Sequence, residues 1–218
     1  MDFQLKMKTI NLIKPAVIFD FGGVLLDWDP RYLFRKIFNG DEAGMEQFLA
    51  EVDFYRWKEL QDAGRSFREG IEAGCQEFPQ YCHLLRAYDD RWAESIRGPI
   101  TGSVEVLAEL KNSGFPLYGL SNWSDEKFIQ AHSLYKFFAW FDQIIISGAI
   151  KLAKPDPQIF YFTLGQIGRP AGECVMIDDS LKNIEAARNL GFQAIHFRSP
   201  EQLRQELAQF EWWSSGLG

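Results

Sequence analysis

The stretch Ala16-Val-Ile-Phe-Asp-Phe-Gly-Gly23 decides the fold, because a short apolar run stops abruptly at an acidic residue and two glycines. Four consecutive apolar residues that include β-branched side chains predict a strand buried on both faces. Asp20 and the glycine pair that follows it predict a tight loop at the carboxyl end of this strand. The sequence therefore predicts that Asp20 stands at the end of a buried strand.

Further apolar runs of the same kind follow along the chain, and segments with helical spacing lie between them. The predicted strands are Pro116–Leu120, Ile144–Ile146, Cys174–Ile177 and Gln193–Phe197. The helical segments before Gly114 and Gly191 each end in a glycine suited to a helix C-terminus. Strands that alternate with helices predict parallel pairing and right-handed crossovers. We therefore expect an α/β fold with a doubly wound, Rossmann-like parallel sheet.

The stretch from Pro30 to Pro99 interrupts this alternation, because it shows no β-like run and several pieces with helical spacing. Within it, Ser66-Phe-Arg-Glu69 has the pattern of a capping box at the start of a helix. A segment of this length exceeds an ordinary strand-to-helix loop, which rarely has more than about 6 residues. We expect an α/β core formed by residues 1–29 and 99–218, with residues 30–98 inserted as an all-α cap over the strand ends.

Composition and charge limit the classes of partner. The 218 residues are 46% hydrophobic and 24% charged, which is the balance of an ordinary globular protein. Lys and Arg total 23 against 30 for Asp and Glu, so the formal charge of −7 argues against a nucleic acid or an anionic membrane as the main partner. A small-molecule or protein partner is expected.

Location and redox state can also be anticipated. No apolar stretch approaches the ~20 residues that cross a bilayer, and Met1 to Lys14 lack the continuous apolar core of a secretory signal. These features predict a cytoplasmic protein.

The chain has three cysteines, an odd number without metal-ligand spacing: Cys75, Cys82 and Cys174. We expect all three to be reduced and structural.

Polar residues follow the predicted strands in an order that suggests a reaction. They are Asp20, Ser121-Asn122, Lys154 and Asp178-Asp179. Parallel strands would bring them to one edge of the sheet, where such folds bind ligands. A carboxylate such as Asp20 can attack phosphorus and form an aspartyl-phosphate, which divides hydrolysis into two easier steps.

The charges of this group predict a cofactor. Asp20, Asp178 and Asp179 would repel one another unless they held a hard divalent ion, for which Mg²⁺ is the usual choice. Lys154 would balance part of the charge on a phosphate. The Ser121 hydroxyl and the Asn122 backbone could donate hydrogen bonds to the oxygens being transferred. The expected partner is a small-molecule phosphate ester.

Four motifs in this order resemble those of the haloacid dehalogenase superfamily. They are Val17-Ile-Phe-Asp-Phe-Gly-Gly-Val-Leu25, Leu120-Ser-Asn122, Lys154-Pro-Asp-Pro-Gln-Ile-Phe160 and Met176-Ile-Asp-Asp-Ser180 with Asn183 following. The helical insert lies where subfamily I of this superfamily has its cap. Similar members include bacterial sugar-phosphate phosphatases and the phosphatase-like domain of soluble epoxide hydrolase.

The resemblance implies a Mg²⁺-dependent phosphatase and a role for each matching residue. Asp20 would be the nucleophile and Asp179 the principal acidic metal ligand, assisted by Asp178 and by the backbone carbonyl of Gly22. The phosphate would be held by Ser121, Asn122 and Lys154. Lys154 matches the family's lysine motif, whereas Lys151 is expected to be a surface lysine.

Gly22 is the main departure from the family pattern, which has an aspartate here as general acid and base. Protonation of the leaving group, which typically contributes a factor of ~10²–10⁴, is therefore without its usual donor. The alternative proton donors are Asp27, Asp29, a residue of the cap or a water.

The absence of the aspartate at Gly22 also leaves two other functions open: hydrolysis of a carbon–halogen bond by Asp20, as in 2-haloacid dehalogenases, and a non-catalytic binding or regulatory role. Dehalogenases that resemble this fold need no metal, whereas this chain retains the acidic pair.

Overall fold

The computed structural model describes residues 14–216, so the expectation for the segment before Lys14 lies outside the described residues. In this part of the chain, a parallel sheet has the strand order β5-β4-β1-β6-β7. Its strands are β1 (Ala16–Phe19), β4 (Leu117–Ser121), β5 (Gln143–Ile146), β6 (Cys174–Asp178) and β7 (Gln193–His196). Every strand predicted from an apolar run is present, and the predicted doubly wound fold is confirmed.

Helices cover both faces of this sheet. They are α6 (Thr101–Asn112), α7 (Asp125–His132), α8 (Ser147–Ile150), α9 (Pro157–Ile167), α10 (Leu181–Asn189), α11 (Pro200–Leu207) and α12 (Glu211–Gly216). Successive side chains of β1 alternate between two apolar clusters, with Val17 and Phe19 in one and Ala16 and Ile18 in the other. This alternation follows from the two-residue period of a strand and explains why the whole run is apolar.

A helical insert lies between β2 (Leu26–Trp28) and β3 (Ile96–Pro99). Its helices are α1 (Arg31–Ile37), α2 (Glu42–Glu51), α3 (Phe54–Asp62), α4 (Phe67–Glu77) and α5 (Cys82–Asp90). Aromatic rings fill its interior; the ring centroids of Phe34 and Phe48 are 4.9 Å apart, as are those of Phe54 and Tyr88. The predicted capping box of Ser66 and Glu69 is formed at the start of α4. We refer to residues 30–98 as the helical insert.

The expectation that no strand occurs between Pro30 and Pro99 is wrong for the last four residues of that stretch. Ile96–Pro99 pairs with Leu26–Trp28 as an antiparallel two-stranded ribbon where the chain enters and leaves the helical insert. Half of this strand is Gly98 and Pro99, which are depleted in strands, so its local sequence favours another structure. The pairing arises because the two connections run side by side.

The expectation of three reduced cysteines is also wrong for one pair. Cys75 and Cys82 form a disulfide that joins α4 to α5, while Cys174 is free and buried in β6. The short turn at Pro79–Tyr81 brings the α-carbons of the pair to 4.5 Å, within the range that a disulfide bridges. This proximity depends on the angle between two helices, which residue spacing did not reveal.

Within residues 14–216, no helix is both long enough and apolar enough to cross a membrane.

Candidate active site

The polar residues predicted to converge lie together at the carboxyl end of the sheet. Asp20 follows β1, Ser121 ends β4 and Asp178 ends β6, and these three strands are neighbours with β1 in the middle. Lys154 lies in the loop between α8 and α9 and reaches the same point. The topology therefore brings residues distant in sequence to one edge.

Lys154 is the electrostatic centre of this group. Its Nζ lies 3.0 Å from Oδ2 of Asp20 and 2.6 Å from Oδ2 of Asp178, and it donates a hydrogen bond of 2.8 Å to the carbonyl of Leu120. Its side chain has no solvent exposure, whereas Lys151 is exposed. The ammonium is thus fixed between two carboxylates, as expected for Lys154 and not for Lys151.

Asn122 positions the loop that carries Lys154. Its Nδ2 donates to the carbonyl of Lys154, and its Oδ1 accepts from the Lys154 backbone N–H, both at 2.8 Å. The side chain is therefore engaged by the protein. The sequence analysis expected the Asn122 backbone N–H to bind phosphate, and that expectation stays a prediction.

Three carboxylates form a cluster beside this lysine. Ligand atoms of Asp20, Asp178 and Asp179 lie within 4.8 Å of one another. Asp178 is fully buried, and its oxygens accept from the Ser180 backbone N–H at 2.8 Å and from Nδ2 of Asn183 at 3.0 and 3.1 Å, besides Lys154. Asp179 is exposed. Of the acidic pair, Asp178 is thus occupied by protein donors, while Asp179 faces the open space.

Burial and repulsion by neighbouring carboxylates raise the pKa of Asp20 and of Asp179. Burial raises the pKa of Asp20 to about 7, although Lys154 and the Ser121 hydroxyl oppose the shift, and Asp178 and Asp179 add to it. Partial dehydration and the charge of Asp178 raise the pKa of Asp179. Burial disfavours the charged form of Lys154, but Asp178 and Asp20 outweigh this effect and raise its pKa. Asp20 and Asp179 are therefore harder to ionise here than in water, an effect that a bound cation would oppose.

The loop between Asp20 and Val24 is shaped to receive the Asp179 carboxylate. Gly23 has φ +72°, and a Cβ on it would lie 2.1 Å from Oδ2 of Asp179, so no larger residue fits there without displacing the carboxylate. A group of carboxylate oxygens that repel one another suits a hard divalent cation. The residues present therefore fit Mg²⁺.

Gly22 differs from Gly23 because its surroundings are open. A Cβ at Gly22 would meet no heavy atom within 4 Å, and its backbone is not left-handed. The residue lines the cavity beside Asp20, together with Gly23, Ser121, Asn122, Asp179, Trp28 and Lys58. An acidic side chain would fit here, although the chain does not provide one.

This cavity continues beneath the helical insert. The adjoining space, which we call the aromatic cavity, shares Gly22, Trp28, Lys58, Ser121 and Asn122 with it. Its other walls are mainly apolar and aromatic and come from both the helical insert and the core: Leu26, Phe67, Tyr88, Trp92, Ile96 and Trp123, with Asp62, Ser124 and Lys127. The helices of the insert thus lie over the same sheet edge as Ser121 and Gly22.

The acids considered as replacements at Gly22 are engaged elsewhere. Asp27 accepts a hydrogen bond of 2.7 Å from the Tyr32 hydroxyl, and Asp29 accepts one of 2.8 Å from the Arg31 backbone N–H. Neither residue is among the described residues that line the two connected cavities. Lys58 and Asp62, which line the aromatic cavity, were not predicted from the sequence because they belong to no motif. Asn183 was noted beside the acidic motif, but its contact with Asp178 was not predicted.

Comparisons with known proteins agree with this geometry. A family model for haloacid dehalogenase-like hydrolases matches residues 14–191. The chain is 24% identical to sesquiterpene phosphatase astK of Aspergillus oryzae, over 89% of this chain and 95% of that protein. It is 28% identical to bifunctional epoxide hydrolase 2 of Rattus norvegicus over 76% of this chain, but spans only 30% of that relative.

A solved structure shares the fold. A HAD family enzyme from Bacteroides thetaiotaomicron, in complex with magnesium and inorganic phosphate, superposes with a TM-score of 0.64 at 24% identity and covers 85% of this chain and 94% of that one. The family match spans most of the chain, including all four motifs quoted from the sequence. The chain therefore belongs to the haloacid dehalogenase-like hydrolases.

Proposed function

We propose that the protein is a Mg²⁺-dependent phosphatase that hydrolyses a small phosphorylated metabolite through an aspartyl-phosphate on Asp20. The observation that carries this proposal is the buried Lys154, whose Nζ lies between Asp20 and Asp178, beside a cavity lined by Asp20 and Asp179. A nucleophilic carboxylate, a fixed cation and a carboxylate cluster suited to a divalent ion are what phosphoryl transfer requires.

Each site residue has a role in this reaction. The Phe21 backbone N–H donates to Oδ1 of Asp20 at 2.7 Å and so holds the attacking carboxylate in one orientation. The Ser121 hydroxyl and the Asn122 backbone N–H would bind the phosphoryl oxygens, where negative charge must be stabilised. Lys154, whose Nζ contacts Asp20, Asp178 and the Leu120 carbonyl, would help to hold the phosphate through its charge. Mg²⁺ would be held mainly by Asp179 and Asp20, with Asp178 and the Gly22 carbonyl assisting, and would offset the repulsion between nucleophile and phosphate.

The walls of the aromatic cavity favour an uncharged organic group on the substrate. Trp28, Phe67, Tyr88, Trp92 and Trp123 offer apolar surface. The two lysines in its lining are already paired, Lys58 with Asp62 and Lys127 with Asp89. A second anionic group would therefore find no unpaired cation among the described lining residues. The similarity of the chain to sesquiterpene phosphatase astK supports an apolar group.

We assign residues 1–29 and 99–218 to the catalytic core and residues 30–98 to a cap that selects the substrate and excludes water. Contacts between the two parts support this division. The Trp92 and Trp123 ring centroids are 5.6 Å apart, and Lys127 of α7 donates to the Asp89 carbonyl of α5 at 2.9 Å.

The test is phosphate release from aryl, isoprenoid and sugar phosphates, with Mg²⁺ or with chelator, by wild type, Asp20→Asn and Asp90→Asn. Asp90 is an exposed residue of the helical insert and serves as the matched control. We expect Mg²⁺-dependent release by wild type and by Asp90→Asn, and none by Asp20→Asn. Release by Asp20→Asn at the wild-type rate would contradict the assignment.

Hydrolysis of a carbon–halogen bond is the second candidate, because the open space at Gly22 holds no acid and a halide leaves without a proton. The same proteins, assayed for halide release from 2-haloacids, separate the two functions. Halide release in chelator without phosphate release would favour the dehalogenase. A protein inactive in both assays would favour a binding role.

A further inference from the structure

The leaving oxygen of a phosphate ester bound at Asp20 must face the helical insert. In phosphoryl transfer, the attacking and leaving oxygens lie roughly in line on opposite sides of phosphorus. Asp20 attacks from the end of β1, at the floor of the cavity. The bond to the organic group therefore points away from the sheet, toward the space between core and insert.

One residue of the helical insert reaches this position. Among the described residues that line the cavity beside Asp20, Lys58 is the one that the helical insert contributes. Lys58 also lines the aromatic cavity. It therefore lies at the junction between the phosphate side and the organic side, where the leaving oxygen would be.

The ammonium of Lys58 is fixed in place and has a hydrogen-bond donor left for a ligand. Its Nζ pairs with the Asp62 carboxylate one helical turn later, and it lies 4.8 Å from the centroid of the Trp28 indole. The exposed fractions of the Lys58 and Asp62 side chains are 21% and 7%. An ammonium has three N–H donors, so at least one remains after the carboxylate and the ring are satisfied.

We propose that Lys58 protonates the leaving oxygen, in place of the acid that Gly22 lacks; this inference rests on the proposed phosphatase function. As Asp20 forms its bond to phosphorus, the bond from phosphorus to the ester oxygen breaks, and its electron pair goes to that oxygen. The oxygen takes a proton from the Lys58 ammonium and leaves as an alcohol. The resulting amine regains a proton from water.

Asp62 is the positioning residue for this lysine. Its carboxylate holds Nζ of Lys58, and its backbone carbonyl accepts a hydrogen bond of 2.5 Å from Oγ of Ser147 in the core. The end of α3 is thereby attached to the core. Lys58 therefore reaches the phosphate site when the helical insert is seated on the sheet edge.

The test compares Lys58→Met with Lys36→Met across phosphate esters of graded leaving-group acidity, from nitrophenyl phosphate to a simple alkyl phosphate. Lys36 is an exposed lysine of the same insert. We expect Lys58→Met to keep kcat/KM for nitrophenyl phosphate within about threefold, and to lower it for the alkyl ester by about 10²-fold or more, because a strong leaving group needs no proton. Lys36→Met should match wild type throughout.

Two further variants test proton donation itself. Lys58→Arg retains the charge and a partner for Asp62, but a guanidinium does not give up its proton in proteins, so the alkyl ester should remain slow. Gly22→Asp combined with Lys58→Met should recover activity on the alkyl ester, because the open space at Gly22 accepts a side chain.

The outcomes that overturn the proposal are distinct from failure of the proposed function. An equal loss for every ester would show that Lys58 only binds substrate, and an unchanged plot of log kcat/KM against leaving-group pKa would show that it has no role. If the plot for Lys58→Arg has the same slope as that for wild type, a positive charge at this position is enough and no proton is transferred. Wild type that releases phosphate from no ester would overturn the phosphatase function, and this inference with it. If thermal melting shows that Lys58→Met is not folded, the same series of esters is measured with Lys58→Arg instead.

Discussion

Replacing Lys154 by methionine should destabilise the metal-free protein strongly. Its Nζ lies 3.0 Å from Asp20 and 2.6 Å from Asp178, and at an effective dielectric near 20 each contact is worth roughly 6 kcal/mol before desolvation is counted. Methionine fills similar volume but leaves both carboxylates without the cation, and Asp178 has no access to water. Loss of one partner from a buried ion pair costs about 3–5 kcal/mol.

For a protein of this size, that loss corresponds to a fall in Tm of roughly 6–20 °C. The assay is thermal unfolding in chelator of wild type, Lys154→Met and Lys151→Met, the last being the exposed control three residues earlier. Addition of Mg²⁺ should recover part of the loss in Lys154→Met, because a divalent cation bound by the same carboxylates replaces the missing charge. A loss below about 1 kcal/mol in chelator, equal to that of the control, would refute the charge balance described for this site.

Other variants test separate parts of the site. Asp179→Ala should lose turnover and bind Mg²⁺ much more weakly in calorimetry, because this carboxylate faces the open space; unchanged Mg²⁺ affinity would count against it as the main ligand. In the Lys58→Met background, Gly22→Asp should raise kcat/KM for alkyl phosphates by up to about 10²-fold and for aryl phosphates little, as measured by phosphate release; a lower rate on alkyl esters than that of Lys58→Met alone would contradict the open space at this position. Gly23→Ala should lower both Tm and Mg²⁺ affinity, since its Cβ would lie 2.1 Å from Oδ2 of Asp179; a variant with wild-type values would show that the loop relaxes freely.

The sheet and the polar group at its edge could be predicted because both leave a local signal. A strand buried on both faces must be apolar throughout, so β1 and β6 are visible as uninterrupted runs in the sequence. Asp20 and Asp178 are conspicuous because each ends such a run. The parallel topology then brings them together without any knowledge of side-chain contacts.

The remaining features depend on tertiary packing, which leaves no local pattern. Lys58 follows no strand and belongs to no motif, and its position at the cavity results from how α3 sits on the core. The Cys75–Cys82 disulfide similarly depends on the turn between two helices. Asn183 offered a weak signal, a polar residue in the first turn of α10 just after the acidic pair, where it is buried against Asp178.

The central claim is that Asp20 carries the phosphoryl group during turnover. The most direct measurement is rapid acid quench of the enzyme with a good phosphate ester and Mg²⁺, followed by peptide mass spectrometry. The proposed mechanism predicts a transient mass increase of one phosphoryl group on the peptide that contains Asp20, absent in chelator and in Asp20→Asn. Phosphate release at full rate with no modified Asp20 peptide, under quench conditions that preserve acyl phosphates, would contradict it.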